Sequence, residues 1–130
     1  MTAERTRRGT GGDRMKEKKD GRRAEELAAL YLEKQGMKIL DRNFRCRFGE
    51  IDLIGRDREY LVFIEVKARS SDVCGYPGEA LTIGKKKRIC QTARFYCVRH
   101  CIRCNQPIRF DVVEILGTQI RHLKNAFDYC

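Results

Sequence analysis

No stretch of about 18 consecutive apolar residues occurs in this sequence, so it holds no membrane-spanning helix. No apolar segment follows the basic N-terminus, so no secretory signal is expected. There is no internal repeat, and no low-complexity segment beyond the first residues. Acidic residues are in deficit: 18 Asp+Glu face 28 Lys+Arg, a formal net charge of +10 with a pI near 9.5. That excess favours polyanionic partners such as nucleic acid, through release of condensed counterions, although many soluble proteins are basic for other reasons. Cysteine is present in an odd number, seven. Without a secretion signal these read as reduced thiols in a cytoplasmic protein. A chain of 130 residues is long enough for one domain that buries one sheet against helices.

Residues 1–20 show no apolar periodicity and are rich in glycine and charge, so they read as a disordered basic arm. The ordered domain is expected over 21–130. Residues 22–35 read as an amphipathic helix, with Asp20 as N-cap and Gly36 as stop. Residues 37–47 read as a strand with an irregular second half. Residues 49–56 alternate as a strand, Asp57-Arg58 reads as a turn, and 59–69 form the strongest strand signal. A loop with Gly75, Pro77 and Gly78 follows, and 78–82 fit one helical turn. Residues 84–100 carry Ile89, Ala93, Tyr96 and Cys97 at helical spacing. Asn105-Gln106-Pro107 breaks the chain, 108–116 read as a strand, and 118–123 fit one more. The order α-β-β-β-α-β predicts a mixed α/β domain, a central sheet flanked by helices.

Strand alternation puts Glu65 and Lys67 on one face with Leu61 and Phe63, and Val62, Ile64 and Val66 on the other. Charges at the end of an apolar strand face are costly unless they are paired or bind something. On the preceding strand, Glu50, Asp52 and Ile54 share a face, while Ile51 and Leu53 share the opposite one. Antiparallel pairing about the 57–58 turn brings Asp52 near the level of Glu65 and Lys67. Neighbouring carboxylates raise each other's pKa. A hard divalent cation such as Mg²⁺ relieves that repulsion. Glu25 has Ala28, Ala29 and Leu32 as its i+3, i+4 and i+7 neighbours, which places it at the edge of the buried stripe. Glu26 shares the solvated side with Arg22 and Glu33.

The chain resembles the bacterial YraN family at several motifs. These are Gly21-x-x-Ala24-Glu25, Tyr31-Leu32, Gly36, Asn43, Gly49-Glu50-Ile51-Asp52-Leu53-Ile54 and Phe63-Ile64-Glu65-Val66-Lys67-x-Arg69. Arg109-Phe110-Asp111-Val112-Val113 and Ile120-Arg121-His122-x-x-Asn125-Ala126-Phe127 extend the match to residues 21–129. That family is similar to archaeal Holliday-junction resolvases and to the restriction-endonuclease-like superfamily, with its Asp…Glu-x-Lys signature. The resemblance implies a restriction-endonuclease-like core that binds Mg²⁺ or Mn²⁺ and hydrolyses phosphodiester bonds in DNA, with branched or damaged DNA as candidate substrates. It implies that Asp52 and Glu65 are metal ligands and that Lys67 orients the attacking water or stabilises developing charge. It matches Glu25 to the helix carboxylate of the resolvases. Resolvase-like folds cut two strands, which favours a homodimer, although no interface stripe is visible. The alternative is a non-catalytic nucleic-acid-binding module with a nuclease-like fold. The long N-terminal arm and the cysteines near residues 97–104 depart from the family pattern.

Gly84-Lys85-Lys86-Lys87-Arg88 opens the second helix with charges that oppose its macrodipole. Phosphate binding by Lys85, Lys86 and Lys87, with Arg69 beside them, explains such a run; so does a solvated basic face. Arg42, Arg45 and Arg47 extend the basic patch. Cys97, His100, Cys101 and Cys104 have a spacing compatible with zinc or an iron–sulfur cluster. The favoured reading is a packed Cys97 with reduced thiols at the helix end. His122 reads as structural or exposed rather than catalytic.

Overall fold

The computed structural model describes residues 12–69 and 81–128, with side chains omitted at 12–21 and at 69. The elements run α1 (Gly12–Lys34), β1 (Lys38–Cys46), β2 (Gly49–Asp57), β3 (Tyr60–Arg69), α2 (Ile83–Arg99), β4 (Ile108–Leu116) and β5 (Gln119–Phe127). The strands form one sheet in the order β1-β2-β3-β4-β5. Only the β3–β4 pair is parallel; the others are antiparallel. A parallel pair needs a long crossover, and α2 provides it. The sheet is mixed and flanked by helices, as the order of the elements predicts.

Among the described residues, α1 packs on one face of the sheet and α2 on the other. Ala24, Ala28, Ala29 and Leu32 of α1 pack on Leu53, Val62, Ile64, Val113 and Ile115. Ile89, Cys90, Ala93 and Tyr96 of α2 pack on Ile51, Ile54, Leu61, Phe63 and Phe110. The alternation of β3 is the cause: odd-numbered apolar residues meet α2 and even-numbered ones meet α1. β3 and β4 lie in the middle of the sheet, so both of their faces are covered.

Four details differ from the sequence expectations. α1 begins at Gly12 rather than Arg22, so Asp20 lies inside the helix instead of capping it. Residues 13–20 hold Lys, Glu and Met, good helix formers that carry no apolar stripe. The β2–β3 turn is Arg58-Glu59, not Asp57-Arg58: Asp57 pairs with Tyr60, and Arg58 takes φ 60°. Ile51 packs with the α2 cluster while Leu53 packs with the α1 cluster, so they do not share a face. That break lies opposite Asn43, which takes a left-handed φ of 50° between the pairs Arg42↔Leu53 and Phe44↔Ile51. β5 runs on to Phe127, well past residue 123, as a polar edge strand. The loop with Gly75, Pro77 and Gly78, and most of the expected turn at 78–82, lie outside the described residues.

The stop of α1 is as expected. Gly36 takes φ 102°, and the Met37 N–H reaches the Leu32 carbonyl at 3.0 Å, closing a Schellman-type end. α2 starts on Thr82, whose hydroxyl accepts the Lys85 N–H at 3.1 Å.

Candidate metal and phosphate site

The β2–β3 ladder ends at Leu53↔Ile64. Continuing its register brings Asp52 level with Glu65. There the ladder gives way to a side chain: Asp52 Oδ2 accepts the Val66 N–H at 2.8 Å. α1 delivers Glu25 to the same point, where it hydrogen-bonds Asp52 and Asn43. Glu26, one residue on, is exposed. Oxygens of Glu25, Glu50 and Asp52 lie within 4.8 Å of one another, a spacing one cation can bridge.

A cleft of about 350 Å³ opens on the α2 side, lined by Gly49, Glu50, Asp52, Glu65, Lys85, Arg88 and Ile89. Glu65 is nearly buried and is held by two lysines. Lys85 Nζ is 3.0 Å from its Oε2, and Lys67 Nζ is 3.9 Å away. Arg45 pairs with Glu50 at 3.5 Å on the exposed rim.

Asp52 and Glu25 have raised pKa values. Burial, then the Glu65 and Glu25 charges, push the Asp52 carboxyl up to about 8, against the pull of the Val66 N–H. Burial also raises Glu25, offset in part by its hydrogen bonds to Asp52 and Asn43. Lys85 responds oppositely: burial works against its charge, but the bond and attraction from Glu65 outweigh it and raise its pKa. Crowded, partly dry carboxylates that resist ionisation suit an oxygen-ligated divalent cation. The donor set contains oxygen alone, which fits Mg²⁺ or Mn²⁺ better than a soft metal.

The residues singled out from the sequence therefore fall in different places. Asp52, Glu65, Glu25 and Lys67 converge at the end of β3, and Lys85 joins them from α2. Lys86 lies with its Nζ 5.7 Å from the Phe127 ring centroid and does not line the cleft. Lys87 is exposed outside the cleft, and the side chain of Arg69 is outside the described ones. Glu50 and Arg88 are the additions. The signal for Glu50 was its alternation with Asp52; that for Arg88 was its i+3 spacing from Lys85 on α2.

The profile of the Uncharacterised protein family UPF0102 matches residues 24–115. The chain belongs to this family. It is 49% identical over 114 residues to a UPF0102 protein of Lachnoclostridium phytofermentans, covering 88% of this chain and 97% of that one. A UPF0102 protein of Persephonella marina is 44% identical over 108 residues, 83% of this chain and 92% of the relative. One from Clostridioides difficile is 41% identical over 115 residues, 87% of this chain and all of the relative. The YraN resemblance read from the motifs is this membership. The UPF0102 match spans Glu25, Glu50, Asp52, Glu65, Lys67, Lys85 and Arg88, so the whole cleft lies inside it.

Two other polar features of this UPF0102 chain lie outside the cleft. Asp111 is buried on β4, where Arg109 Nε and Nη2 each donate to it at 2.9 Å and the Asn125 N–H donates at 3.0 Å. His122 Nε2 lies 2.7 Å from Asp111 Oδ2, and Arg109 also reaches Asp57 at 3.0 Å. His122 is thus a buried partner of Asp111, away from the cleft. Among the described residues, Cys97, His100, Cys101 and Cys104 do not form a second close ligand group. Burial pushes the Cys97 thiol up, as for a packed side chain. Among the described residues no helix is long and apolar enough to cross a membrane.

Proposed function

We propose that this chain is a metal-dependent endonuclease hydrolysing phosphodiester bonds of DNA. The observation that supports the reading is the cluster of Glu25, Glu50 and Asp52 at a cleft that Glu65, Lys85 and Arg88 also line, with Lys67 beside Glu65. Acids alone would suit a cation store, and cations alone would suit any polyanion. The two together suit a phosphodiester brought against a metal.

Asp52, Glu25 and Glu50 are the residues that would hold Mg²⁺ or Mn²⁺, with Glu65 across the cleft as a further oxygen donor. When bound, the cation supplies Lewis-acid polarisation of the phosphate. The Val66 N–H fixes Asp52 beside Glu25 and Glu50. Lys67 is placed to hydrogen-bond the attacking water or to meet charge as it develops on phosphate oxygens. Lys85 and Arg88 draw the phosphate backbone into the cleft and fix its register. A homodimer would present two such clefts to two strands. The reduced cysteines fit a cytoplasmic enzyme.

The test is incubation of the full chain with linear, flapped and four-way DNA in the presence of Mg²⁺ or Mn²⁺. Cleavage that is lost in Asp52→Ala and in Lys67→Ala is expected. Salt-sensitive binding without cleavage by the wild type would point instead to a nucleic-acid-binding module that keeps the fold.

A further inference from the structure

Phe48 and Phe95 lie outside the two core clusters. Both are half-buried. Their ring centroids lie 6.2 Å apart, edge to face. Phe44 backs Phe95 at 6.3 Å and is itself packed on the α2 core, so the pair rests on a rigid floor. Arg47 places its guanidinium 5.0 Å from the Phe48 ring centroid. Arg45, Arg47 and Arg94, neighbours of the pair in sequence, are exposed.

This feature adjoins the acidic cleft. Phe48 is in the β1–β2 turn, and the next residue, Gly49, lines the cleft. A Cβ at Gly49 would come within 3.2 Å of Thr92 Oγ1, so the turn sits directly on α2. Arg88, Thr92 and Phe95 follow one another at i, i+4 and i+7 on a single face of α2. Arg88 lines the cleft, and Phe95 stands about 10 Å further along that face. One helix face thus leads from the cleft to the Phe48–Phe95 pair, with Arg47 against Phe48.

We propose that Phe48, Phe95 and Arg47 form a stacking platform for an unpaired DNA base next to the phosphate held in the cleft. The inference rests on the nuclease reading for its choice of DNA, and it narrows the substrate to DNA with a single-stranded segment. Paired bases in duplex are already stacked and offer no free face. An unpaired base has one, and aromatic side chains with nearby arginine take it without regard to sequence. The arginines track the flanking phosphates.

The test uses the full chain without divalent metal, so that no cleavage enters the readout. The probes are a DNA duplex bearing a single-stranded tail with 2-aminopurine in the tail, and a blunt duplex of equal length. Wild type and Phe48→Tyr are expected to quench the tail fluorescence. Phe48→Leu and Phe95→Leu are expected to lose the quench and to bind the tailed DNA about tenfold more weakly, with blunt-duplex affinity unchanged. Quenching and affinity of Phe48→Leu equal to wild type would overturn the proposal. So would an equal loss on both DNAs, which marks a general folding or charge effect. Stacking that depends on Phe48, in a protein that cuts no DNA when metal is added, would sink the nuclease reading and keep the platform. Metal-dependent cleavage with no effect of Phe48→Leu on binding would do the reverse.

Discussion

Lys85 Nζ lies 3.0 Å from Glu65 Oε2, whereas Lys67, the lysine of the same Glu-x-Lys motif, stays 3.9 Å away. The glutamate on β3 is therefore held chiefly by a residue from α2. The Lys85–Glu65 pair joins α2, the helix that carries Arg88, to β3.

The two lysines should then fail differently. Lys67→Ala is expected to lower kcat on the order of a hundredfold or more, as loss of a charge-stabilising donor does. Lys85→Ala is expected mainly to raise KM and to reduce the slope of log affinity against log salt by about 1. Steady-state cleavage of a flapped DNA over a range of salt separates them. Identical kinetic profiles for the two variants would contradict the division of roles.

Asp52 gives a pH dependence whose sign is fixed. Its carboxyl is pushed up to about 8 by burial and by Glu65 and Glu25, against 3.8 as the ordinary value. The folded state thus holds this proton more tightly than the unfolded state does. The stability it contributes is complete below pH 3.8 and is lost as pH rises through about 8. Asp52→Asn should raise the melting temperature at pH 8.5 by about 2–5 °C in the absence of metal, with little change at pH 5. A cation must displace the same proton, so the thermal shift produced by Mg²⁺ should grow from pH 6 to pH 8.5 in wild type. It should be much reduced in Asp52→Asn and in Glu50→Gln. A Mg²⁺ shift that is flat with pH, or unchanged in both variants, would count against this site as the cation site.

Asp111 behaves in the opposite sense. Burial alone would raise its carboxyl, but His122, Arg109 and the Asn125 N–H outweigh that and hold it below its ordinary value. Its contribution is present above the ordinary carboxylate range and fades as pH falls through the depressed folded value. Asp111→Ala leaves Arg109 without its main partner in a buried setting and should cost about 3–5 kcal/mol. Urea unfolding at neutral pH measures this. Loss of cleavage by Asp111→Ala at full stability would mean that the cluster has a role beyond holding β4 and β5.

The legible parts of the sequence are those where local pattern and tertiary environment agree. β3 was readable because Leu61 to Lys67 alternate against two helices at once, and Gly36 was readable as a stop because only a left-handed residue fits there. The first turns of α1 were not, because residues 13–20 form a helix on intrinsic propensity without an apolar stripe. β5 was cut short because Arg121, Lys124 and Asn125 interrupt its pattern on an exposed edge. The different faces of Ile51 and Leu53 depend on the left-handed Asn43 across the ladder, which no window on β2 contains. The candidate site was legible in its acids Asp52, Glu65 and Glu25. The Phe48–Phe95 pair needed the chain to be folded, since α2 and the β1–β2 turn meet only in three dimensions.

In the proposed function, the acids at the end of β3 work with a divalent cation to cut DNA. This is tested most directly by Mg²⁺- or Mn²⁺-dependent cleavage of structured DNA by wild type beside Asp52→Ala. Cleavage by wild type is expected to disappear on chelation and in Asp52→Ala, with DNA binding retained. Equal cleavage by the two proteins, or DNA bound by both and cut by neither with either metal, would contradict it.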